Sequence, residues 1–206
     1  MTSFYDRHIL PSLIGCACAT RPIMKQREKV VPLASGRVLE LGVGGGLNLG
    51  LYDRSRVEEV LGVDPSSGLL ARAEARRPRG LPVTILSGTA EALPFPDASF
   101  DSVVCTYTLC SVVSPEASLA EARRVLRPGG QLIFSEHGLS PDPDVVRWQR
   151  RLEPLWRTLA GGCHLTRPIA AAVTAAGFSV ELLGQMYVPG TLKAIGWSEW
   201  GVARPV

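Results

Sequence analysis

No uninterrupted apolar run in this sequence is long enough to cross a membrane as a helix. The apolar stretch near the start, residues 9–19, is interrupted by Pro11 and Gly15, and it is shorter than the roughly 20 residues that span a bilayer. It also lacks the basic start of a secretory signal. We therefore expect no transmembrane segment and a cytoplasmic location, and a peripheral contact with a membrane stays open.

Cysteine and histidine are few, and their spacing matches neither a disulfide framework nor a zinc motif. The five cysteines are an odd number, no CxxC occurs, and the three histidines stand far apart. Disulfide-rich and zinc-binding domains carry such residues in paired, closely spaced patterns. The pattern predicts a reducing compartment, no structural disulfide and no metal site.

Neither sign of charge dominates the chain, and the aromatic residues are few. Lys and Arg together number 22 against 19 Asp and Glu, and aromatics make up 6%. The basic residues are scattered and do not form a block with interleaved aromatics, so we expect no nucleic-acid partner. With 206 residues, 46% of them hydrophobic, the chain can bury a sizeable core as one folded domain.

Short apolar runs alternate with helical patterns along most of the chain, which is typical of a parallel sheet covered by helices on both faces. Ser66 is a candidate N-cap for the helix that follows it, and a later helix is expected to close at the glycines of residues 127–130. The fold predicted is a Rossmann-like, doubly wound α/β domain with a mostly parallel seven-stranded sheet and an antiparallel C-terminal strand. The predicted strands are residues 37–43, 59–64, 83–88, 100–108, 131–138, 178–187 and 193–203.

Three parts of the chain are expected to differ in role. Residues 1–35 read as an N-terminal helical cap or lid, and residues 36–206 as the main domain. Within that domain, residues 138–177 carry two helical patterns that we interpret as a roof over the site. In the first of these, Pro154 predicts a kink, and one face carries four apolar residues: Trp148, Leu152, Leu155 and Leu159.

The densest motif is a glycine-rich stretch, VLELGVGGGLNLG, over residues 38–50. A phosphate-binding P-loop requires a lysine that does not follow here. A dinucleotide fingerprint requires its third glycine at the position that Leu47 occupies. The glycines instead follow Glu40 at alternate positions, Gly42, Gly44 and Gly46, a spacing that suits a nucleoside without a pyrophosphate lying against a bare turn.

This stretch resembles the first motif of class I S-adenosylmethionine-dependent methyltransferases of the type 11 group, and three later motifs follow in the family's order. These are Asp64 at the end of the second strand, residues 88–101 and residues 123–134. The resemblance implies S-adenosyl-L-methionine as cofactor, with Asp64 accepting hydrogen bonds from the ribose hydroxyls. The family often has Asp where Thr89 stands. The implied cofactor residues are Glu40, Gly42, Val43, Gly44, Gly46, Asp64, Pro65, Ser66, Thr89, Ala90, Glu91, Cys105 and Thr106.

A narrower resemblance covers roughly residues 36–204. The runs VVCTYTLCSV, SEHG, RWQRRLEPLWRTLAGGCHLTRP and GWSEWGVARP are similar to the alkyl-thiol methyltransferases of animals. It implies S-methylation of a small, apolar thiol. O-, N- or C-methylation of a quinone, a phospholipid or a natural product stays open, as does cofactor binding without catalysis, and a NAD oxidoreductase is the most distant alternative. The animal enzymes carry a longer apolar N-terminal anchor, whereas this sequence has the interrupted stretch at residues 9–19, so we do not expect their membrane attachment to carry over, except as a peripheral contact.

Ligands of open α/β sheets lie beyond the carboxyl ends of the strands, so we expect the groups that act on the acceptor at those ends. His137, after the fifth strand, is the candidate general base because an imidazole titrates near neutral pH; a structural imidazole bound to a backbone carbonyl is an equal alternative. His164 either caps a helix or lines the pocket. The candidate substrate residues are Tyr5, Tyr107, Cys110, Trp148 and His164.

Overall fold

The computed structural model describes residues 15–206. The candidate substrate residue Tyr5 lies outside the described residues, as does most of the interrupted apolar stretch. Within residues 15–206, no helix combines the length and the apolar character needed to cross a membrane.

Seven strands form one sheet in the order β3-β2-β1-β4-β5-β7-β6. Strands β1 to β5 pair in parallel, and β7 is antiparallel to both β5 and β6. The predicted doubly wound sheet with an antiparallel C-terminal strand is confirmed. The strands are β1 (Gly36–Leu41), β2 (Val57–Asp64), β3 (Val83–Ser87), β4 (Phe100–Thr106), β5 (Leu126–His137), β6 (Phe178–Tyr187) and β7 (Trp197–Pro205).

Helices cover both faces of the sheet, so the strands are apolar on both sides. Buried residues of α3 and α5 share a core cluster with Leu39 and Leu41 of β1. The alternate residue Val38 packs in a second cluster with residues at the end of α1 and in α2. The helices are α1 (Arg21–Val30), α2 (Ser67–Ala75), α3 (Pro115–Val125), α4 (Pro143–Leu159), α5 (Ile169–Ala175) and α6 (Lys193–Gly196), with a 3-10 turn over Val31–Leu33.

Several boundaries differ from those expected. Ser66 precedes α2, but its side chain makes no capping hydrogen bond, whereas the Ser114 side chain accepts one from the Ala117 N–H at the start of α3. Gly129 has the left-handed φ of 81°, yet it lies inside the long strand β5 because the chain is already extended at Leu126. Residues 193–196, expected as strand, form the short helix α6.

Helix α4 continues through Pro154, and the apolar face expected on it is turned outward. Trp148, Leu155 and Leu159 are 57%, 61% and 53% exposed. The buried side of the helix is instead fixed by Gln149, whose amide donates to the Gly138 carbonyl and accepts from the Ser140 N–H, both at 3.0 Å. A fully satisfied amide anchor therefore sets the rotation of this helix.

Candidate cofactor and acceptor site

A cavity of about 630 Å³ opens at the carboxyl ends of β1, β2, β3 and β4. This volume lies in the range of small-molecule sites, and the edge is the one where open α/β sheets bind ligands. The walls come from the glycine-rich turn after β1, the end of β2, the start of α2, the turns after β3 and β4, and helix α1. The residues that line it include Arg27, Gly42, Val43, Gly44, Asp64, Pro65, Ser66, Thr89, Ala90, Glu91, Thr106 and Tyr107.

The glycine-rich turn presents bare backbone to this cavity. Gly44 has a φ of 52°, and a Cβ placed on it would meet nothing nearer than the Gly42 carbonyl oxygen at 3.8 Å. Gly46 has another purpose, since a Cβ there would lie 2.9 Å from the Cα of Ala73 in α2. One glycine therefore keeps the cavity wall open, and the other lets the turn pack against a helix.

Asp64 closes β2 with a carboxylate that holds the glycine-rich turn. Its Oδ2 accepts from the Gly44 N–H at 3.0 Å and its Oδ1 from the Ser66 N–H at 2.8 Å. The side chain lines the cavity and is 8% exposed. Carboxylate oxygens have several lone pairs, so this group still accepts hydrogen bonds from ligand hydroxyls.

A buried arginine from α1 lies on the other side of the turn. Arg27 is 6% exposed, and its Nη1 donates to Asn48 Oδ1 at 3.0 Å and to Thr106 Oγ1. Its guanidinium carbon lies 5.1 Å from the centroid of the Tyr107 ring. Among the described residues, no hydrogen-bond partner is present for its buried Nε atom. The wall of the cavity thus carries a fixed positive charge, and the Nε of the same side chain is a buried donor without a partner.

The turn after β4 is fixed by a carboxylate from β5. Glu136 is fully buried and accepts hydrogen bonds from the N–H groups of Thr108, Leu109 and Cys110 at 2.7, 3.1 and 3.3 Å. Burial raises the pKa of Glu136, although the three hydrogen bonds act to lower it. Tyr107, one residue earlier, has a φ of 53°, a conformation that side-chain-bearing residues seldom adopt. The carboxylate thereby holds a strained turn in place beside the cavity.

A cluster of two thiols and an imidazole lies next to this turn. Cys163 Sγ is 3.4 Å from Cys110 Sγ and 3.6 Å from His137 Nε2. The hydrogen bond with Cys110 and the charge of His137 lower the pKa of Cys163 to about 4. Burial alone would lower the pKa of His137, but the neighbouring Cys163 and Glu136 raise it. The directions of these two pKa shifts favour a thiolate beside an imidazolium.

The comparisons with known proteins agree with this geometry. A family described as "Methyltransferase domain" matches residues 39–134. A thiol S-methyltransferase of Homo sapiens is 32% identical over 185 residues, which are 87% of this chain and 71% of that protein. The chain belongs to the S-adenosylmethionine-dependent methyltransferases.

Two further relatives of this methyltransferase chain bear on its extent and fold. A thiol S-methyltransferase of Rattus norvegicus is 39% identical over 147 residues, which are 69% of this chain; the chain spans 59% of that relative's length. A Thermotoga maritima protein, described as a possible histamine N-methyltransferase, has a TM-score of 0.70 at 22% identity over 97% of this chain and 99% of its own. Matched relatives also include methyltransferases named for demethylmenaquinone and phosphatidylethanolamine.

The cavity of the methyltransferase fits the cofactor of its family. S-adenosylmethionine has a ribose with two hydroxyls, a flat base and an amino-acid end with a carboxylate. Gly44 leaves the wall open to a flat group, Asp64 lines the cavity with hydrogen-bond acceptors, and Arg27 lines it with a positive charge. Each part of the cofactor thus has a complementary group in the chain.

The expected cofactor residues divide into those that line the cavity and those that lie behind it. Glu91 lines it, and its Oε1 accepts from the Val113 N–H at 2.9 Å, so it also links two turns. Cys105 is fully buried on β4, with its Sγ 3.5 Å from Glu136 Oε1. The residues behind the lining are Glu40, Gly46 and Cys105.

Among the candidate substrate residues that lie within residues 15–206, only Tyr107 lines the cavity. Trp148 lies on the outer face of α4, because Gln149 anchors the opposite side. His164 Nδ1 is 2.9 Å from Glu153 Oε1, which ties the end of α4 to the loop that follows it. Cys110 lies in the thiol–imidazole cluster, beside the cavity-lining Ser111. From the segment 138–177, expected as a roof, the described lining contains only Gly161.

Residues from α1 and the turns around it were missed by reasoning from sequence. Arg27 lines the cavity, and so does Cys18 just before the helix. A signal was present, because Arg27 and the fully buried Val30 are three residues apart and share a helix face, where a charge is costly unless it is partnered. The other missed lining residues are Gly15, Cys16, Ala19, Gly45, Leu47, Val63, Leu69, Arg72, Arg76, Gly88, Thr108, Ser111, Val112, Val113 and Gly161.

Glu40 supports the cavity from behind through a buried network. It is 1% exposed, and its carboxylate accepts from Asn48 Nδ2 at 2.9 Å and from the Tyr52 hydroxyl at 2.8 Å. Asn48 Nδ2 also donates to Thr106 Oγ1 at 2.9 Å, beside Arg27. Burial raises the pKa of Glu40 to about 7, although the hydrogen bond from Tyr52 acts to lower it. The carboxyl therefore takes up a proton near neutral pH in the folded chain.

This pKa predicts a pH dependence of stability. Glu40 binds a proton more tightly in the folded than in the unfolded chain. Its contribution to the free energy of unfolding is therefore largest below its ordinary pKa near 4.5 and is lost as the pH rises through about 7. The loss amounts to about 3 kcal/mol in total. Urea titrations measure the free energy of unfolding at pH 5 and at pH 8. Glu40→Gln should remove about 2 kcal/mol or more of the wild-type difference between these two pH values. The matched control is Glu59→Gln on β2, and parallel profiles for wild type and Glu40→Gln would contradict the assignment.

Proposed function

We propose that this protein transfers the methyl group of S-adenosylmethionine to the sulfur of a small, apolar thiol. The observation that carries the proposal is the similarity to thiol S-methyltransferases, at 39% identity over 147 residues for the Rattus norvegicus protein and 32% over 185 residues for the human protein. The human match extends well beyond residues 39–134 of the cofactor-binding family match, into the parts of the chain that shape the acceptor site. A demethylmenaquinone methyltransferase matches over 182 residues at 34% identity, so the extent of a match does not separate the two acceptors, and the higher identity to the Rattus norvegicus protein favours the thiol.

In this proposal four groups of residues bind the cofactor. Asp64 accepts hydrogen bonds from the ribose hydroxyls, and the backbone of Gly42 and Gly44 lies against the nucleoside. Thr89 and Ala90 border the adenine. Arg27, which lines the cavity, pairs its guanidinium charge with the carboxylate of the amino-acid end. When bound, S-adenosylmethionine supplies a methyl group activated by a positively charged sulfonium sulfur.

Methylation of a thiol requires little proton transfer by the protein. A thiol with a pKa near 8.5 is already a few per cent thiolate at pH 7. The chain's part is to hold the sulfur in line with the methyl carbon and to exclude water. Tyr107, Val112 and Val113 line the cavity on the β4 side, where the acceptor would lie. The sulfur forms the new bond as the old methyl–sulfur bond breaks.

The hypothesis that His137 is the general base is not part of this proposal. Its pKa is raised by Cys163 and Glu136 against burial, which leaves less of the neutral imidazole that accepts a proton. Its ring nitrogens lie 3.6 and 3.9 Å from Cys163 Sγ, and the ring is not part of the cavity lining. The imidazole is better placed to act on the neighbouring thiols than on a bound acceptor.

Asp64→Ala should weaken cofactor binding by about 1.5 to 3 kcal/mol, the range for hydrogen bonds to a charged group. This corresponds to a roughly ten- to 150-fold higher Kd, measured by calorimetry with S-adenosylhomocysteine. Asp97→Ala is the matched control, since Asp97 is exposed and pairs with Arg124 at 2.8 Å away from the cavity. Equal affinity of Asp64→Ala and wild type would remove Asp64 from the site.

Release of S-adenosylhomocysteine with a panel of acceptors tests the proposed function. The panel contains sulfide, small alkyl thiols, a phenol, an amine and a quinol, and the Asp64→Ala variant is the control for background turnover. We expect turnover confined to the thiols. Turnover confined to the quinol would favour the second candidate, quinone methylation, which the demethylmenaquinone relative supports. Binding of the cofactor without turnover of any acceptor would favour a non-catalytic role.

We also propose a cytoplasmic location, on the sequence pattern of five cysteines without paired spacing, which suits a reducing compartment.

A further inference from the structure

Three groups that bind soft metal ions meet beside the cavity, and the cofactor site uses none of them. They come from separate elements: Cys110 from the turn after β4, His137 from the end of β5, and Cys163 from the loop after α4. Their sulfur and nitrogen atoms all lie within 4.8 Å of one another. Cys110 and His137 are 2% and 7% exposed, so two of the three are shielded from water.

Two of the three separations are close to those of a tetrahedral zinc site. With zinc–sulfur bonds of about 2.3 Å and zinc–nitrogen bonds of about 2.0 Å, two ligand sulfurs lie about 3.8 Å apart and a sulfur and a nitrogen about 3.6 Å apart. The observed distances are 3.4 Å for Cys110 Sγ to Cys163 Sγ and 3.6 Å for Cys163 Sγ to His137 Nε2. For these two pairs the shifts that a metal ion requires are a few tenths of an ångström, and the third pair, Cys110 Sγ and His137, lies within 4.8 Å.

The backbone holds the three ligand segments together independently of the ligand atoms. The His164 N–H donates to the Cys110 carbonyl at 2.8 Å, which ties the Cys163 segment to the Cys110 turn. The Cys110 N–H in turn donates to Glu136 Oε2 at 3.3 Å, and Glu136 precedes His137 on β5. A site whose ligands are fixed before the metal arrives loses little conformational entropy on binding.

We propose that Cys110, His137 and Cys163 bind one Zn²⁺ and that the acceptor thiolate takes the fourth coordination position. Structural zinc sites are closed by four protein ligands, whereas sites that bind substrate keep one position open; the group found among residues 15–206 has three. Ser111 and Gly161, next to Cys110 and near Cys163, line the cavity, so the cluster adjoins it. This inference rests on the proposed thiol methylation.

Zinc binding completes the deprotonation of an acceptor thiol that is only a few per cent thiolate at pH 7. The acceptor thiol binds the metal and loses its proton to water, so its sulfur keeps the electron pair. That sulfur attacks the methyl carbon, and the pair of the breaking carbon–sulfur bond stays on the departing sulfur as neutral S-adenosylhomocysteine. The thioether formed carries no charge and is a weak ligand, so it leaves. Zinc remains divalent, and no oxidant or reductant takes part.

Metal content of the purified chain, measured after dialysis against zinc-free buffer with a reductant, tests the binding site. We expect about one zinc per chain in wild type, less than about a tenth of that in Cys163→Ser and Cys110→Ser, and wild-type content in the matched control Cys16→Ser, an exposed cysteine outside the cluster. Circular dichroism and S-adenosylhomocysteine binding report whether each variant is folded. A folded wild type that holds no zinc even after zinc is added, or that returns a Cys110–Cys163 disulfide instead, overturns the proposal.

Cobalt(II) in place of zinc tests the open position without relying on turnover. Tetrahedral cobalt bound to thiolates absorbs visible light, and an added alkyl thiol should change that spectrum, whereas the matching alcohol should not. A spectrum unaffected by thiols, with thiols still methylated, overturns the fourth-ligand assignment and leaves the proposed function standing. Turnover of thiols at the full rate by metal-free protein has the same meaning. A bound metal whose spectrum responds to thiols, with no thiol methylated, counts against the proposed function alone.

Discussion

Replacing Arg27 with methionine should weaken the binding of S-adenosylhomocysteine roughly ten- to 150-fold and leave the binding of 5′-methylthioadenosine unchanged within about twofold. The first ligand has a carboxylate and the second does not. A hydrogen-bonded contact with a charged group is worth about 1.5 to 3 kcal/mol, and Arg27 has a buried Nε with no partner among the described residues. Calorimetry with both ligands measures the difference directly.

The matched variants separate charge from fold. Arg27 also donates to Asn48 Oδ1 and Thr106 Oγ1, so its loss lowers stability, and titrations belong at a temperature where the variant is folded. Arg27→Lys keeps the charge and should recover part of the affinity. Arg56→Met is the control, because Arg56 is exposed and donates to the Pro32 and Leu33 carbonyls away from the cavity. Equal weakening of both ligands by Arg27→Met would mean that Arg27 shapes the cavity and does not bind the carboxylate.

The largest expected loss of stability follows from Glu136→Ala. The change leaves three N–H groups without their acceptor, those of Thr108, Leu109 and Cys110. An unsatisfied buried donor costs about 1 to 3 kcal/mol, and breaking a buried charged network costs about 3 to 5 kcal/mol. We expect the free energy of unfolding to fall by about 3 to 5 kcal/mol and the Tm to fall by about 10 °C, measured by urea titration and thermal unfolding.

Two variants sharpen this prediction. Glu136→Gln keeps the shape and one oxygen acceptor, so its loss should be smaller than that of alanine. Glu181→Ala is the surface control, because Glu181 lies 3.7 Å from Arg204 with both side chains more than half exposed, and such pairs contribute little. If Glu136→Ala destabilised the protein no more than Glu181→Ala, the carboxylate would not be what holds the turn after β4.

The parts of the molecule that sequence reasoning predicted are those with local signals. The alternation of apolar runs and helices predicts the doubly wound sheet, and the strand order confirms it. The glycine spacing after β1 and Asp64 at the end of β2 both mark the cavity wall, because a bare turn and a strand-end carboxylate are adjacent in any such fold. Family membership follows from the same motifs.

The parts that it did not predict depend on which residues meet across the chain. Arg27 reaches Thr106 over 79 positions, and no local spacing reveals that contact. Cys110 and Cys163 are 53 positions apart, so a search for closely spaced cysteines passes over them. The exposure of the apolar face of α4 was not predicted for the same reason. Helical periodicity defines an apolar face but does not decide whether Gln149 or Trp148 turns inward.

Transfer of a labelled methyl group tests the central claim most directly. The protein is incubated with S-adenosylmethionine bearing a deuterated methyl group and with equal amounts of an alkyl thiol and the matching alcohol, and the products are identified by mass. The account predicts the deuterated thioether and no ether, with S-adenosylhomocysteine formed in equal amount and with little product from Asp64→Ala. Label in the ether alone, or S-adenosylhomocysteine formed without labelled thioether, would contradict it.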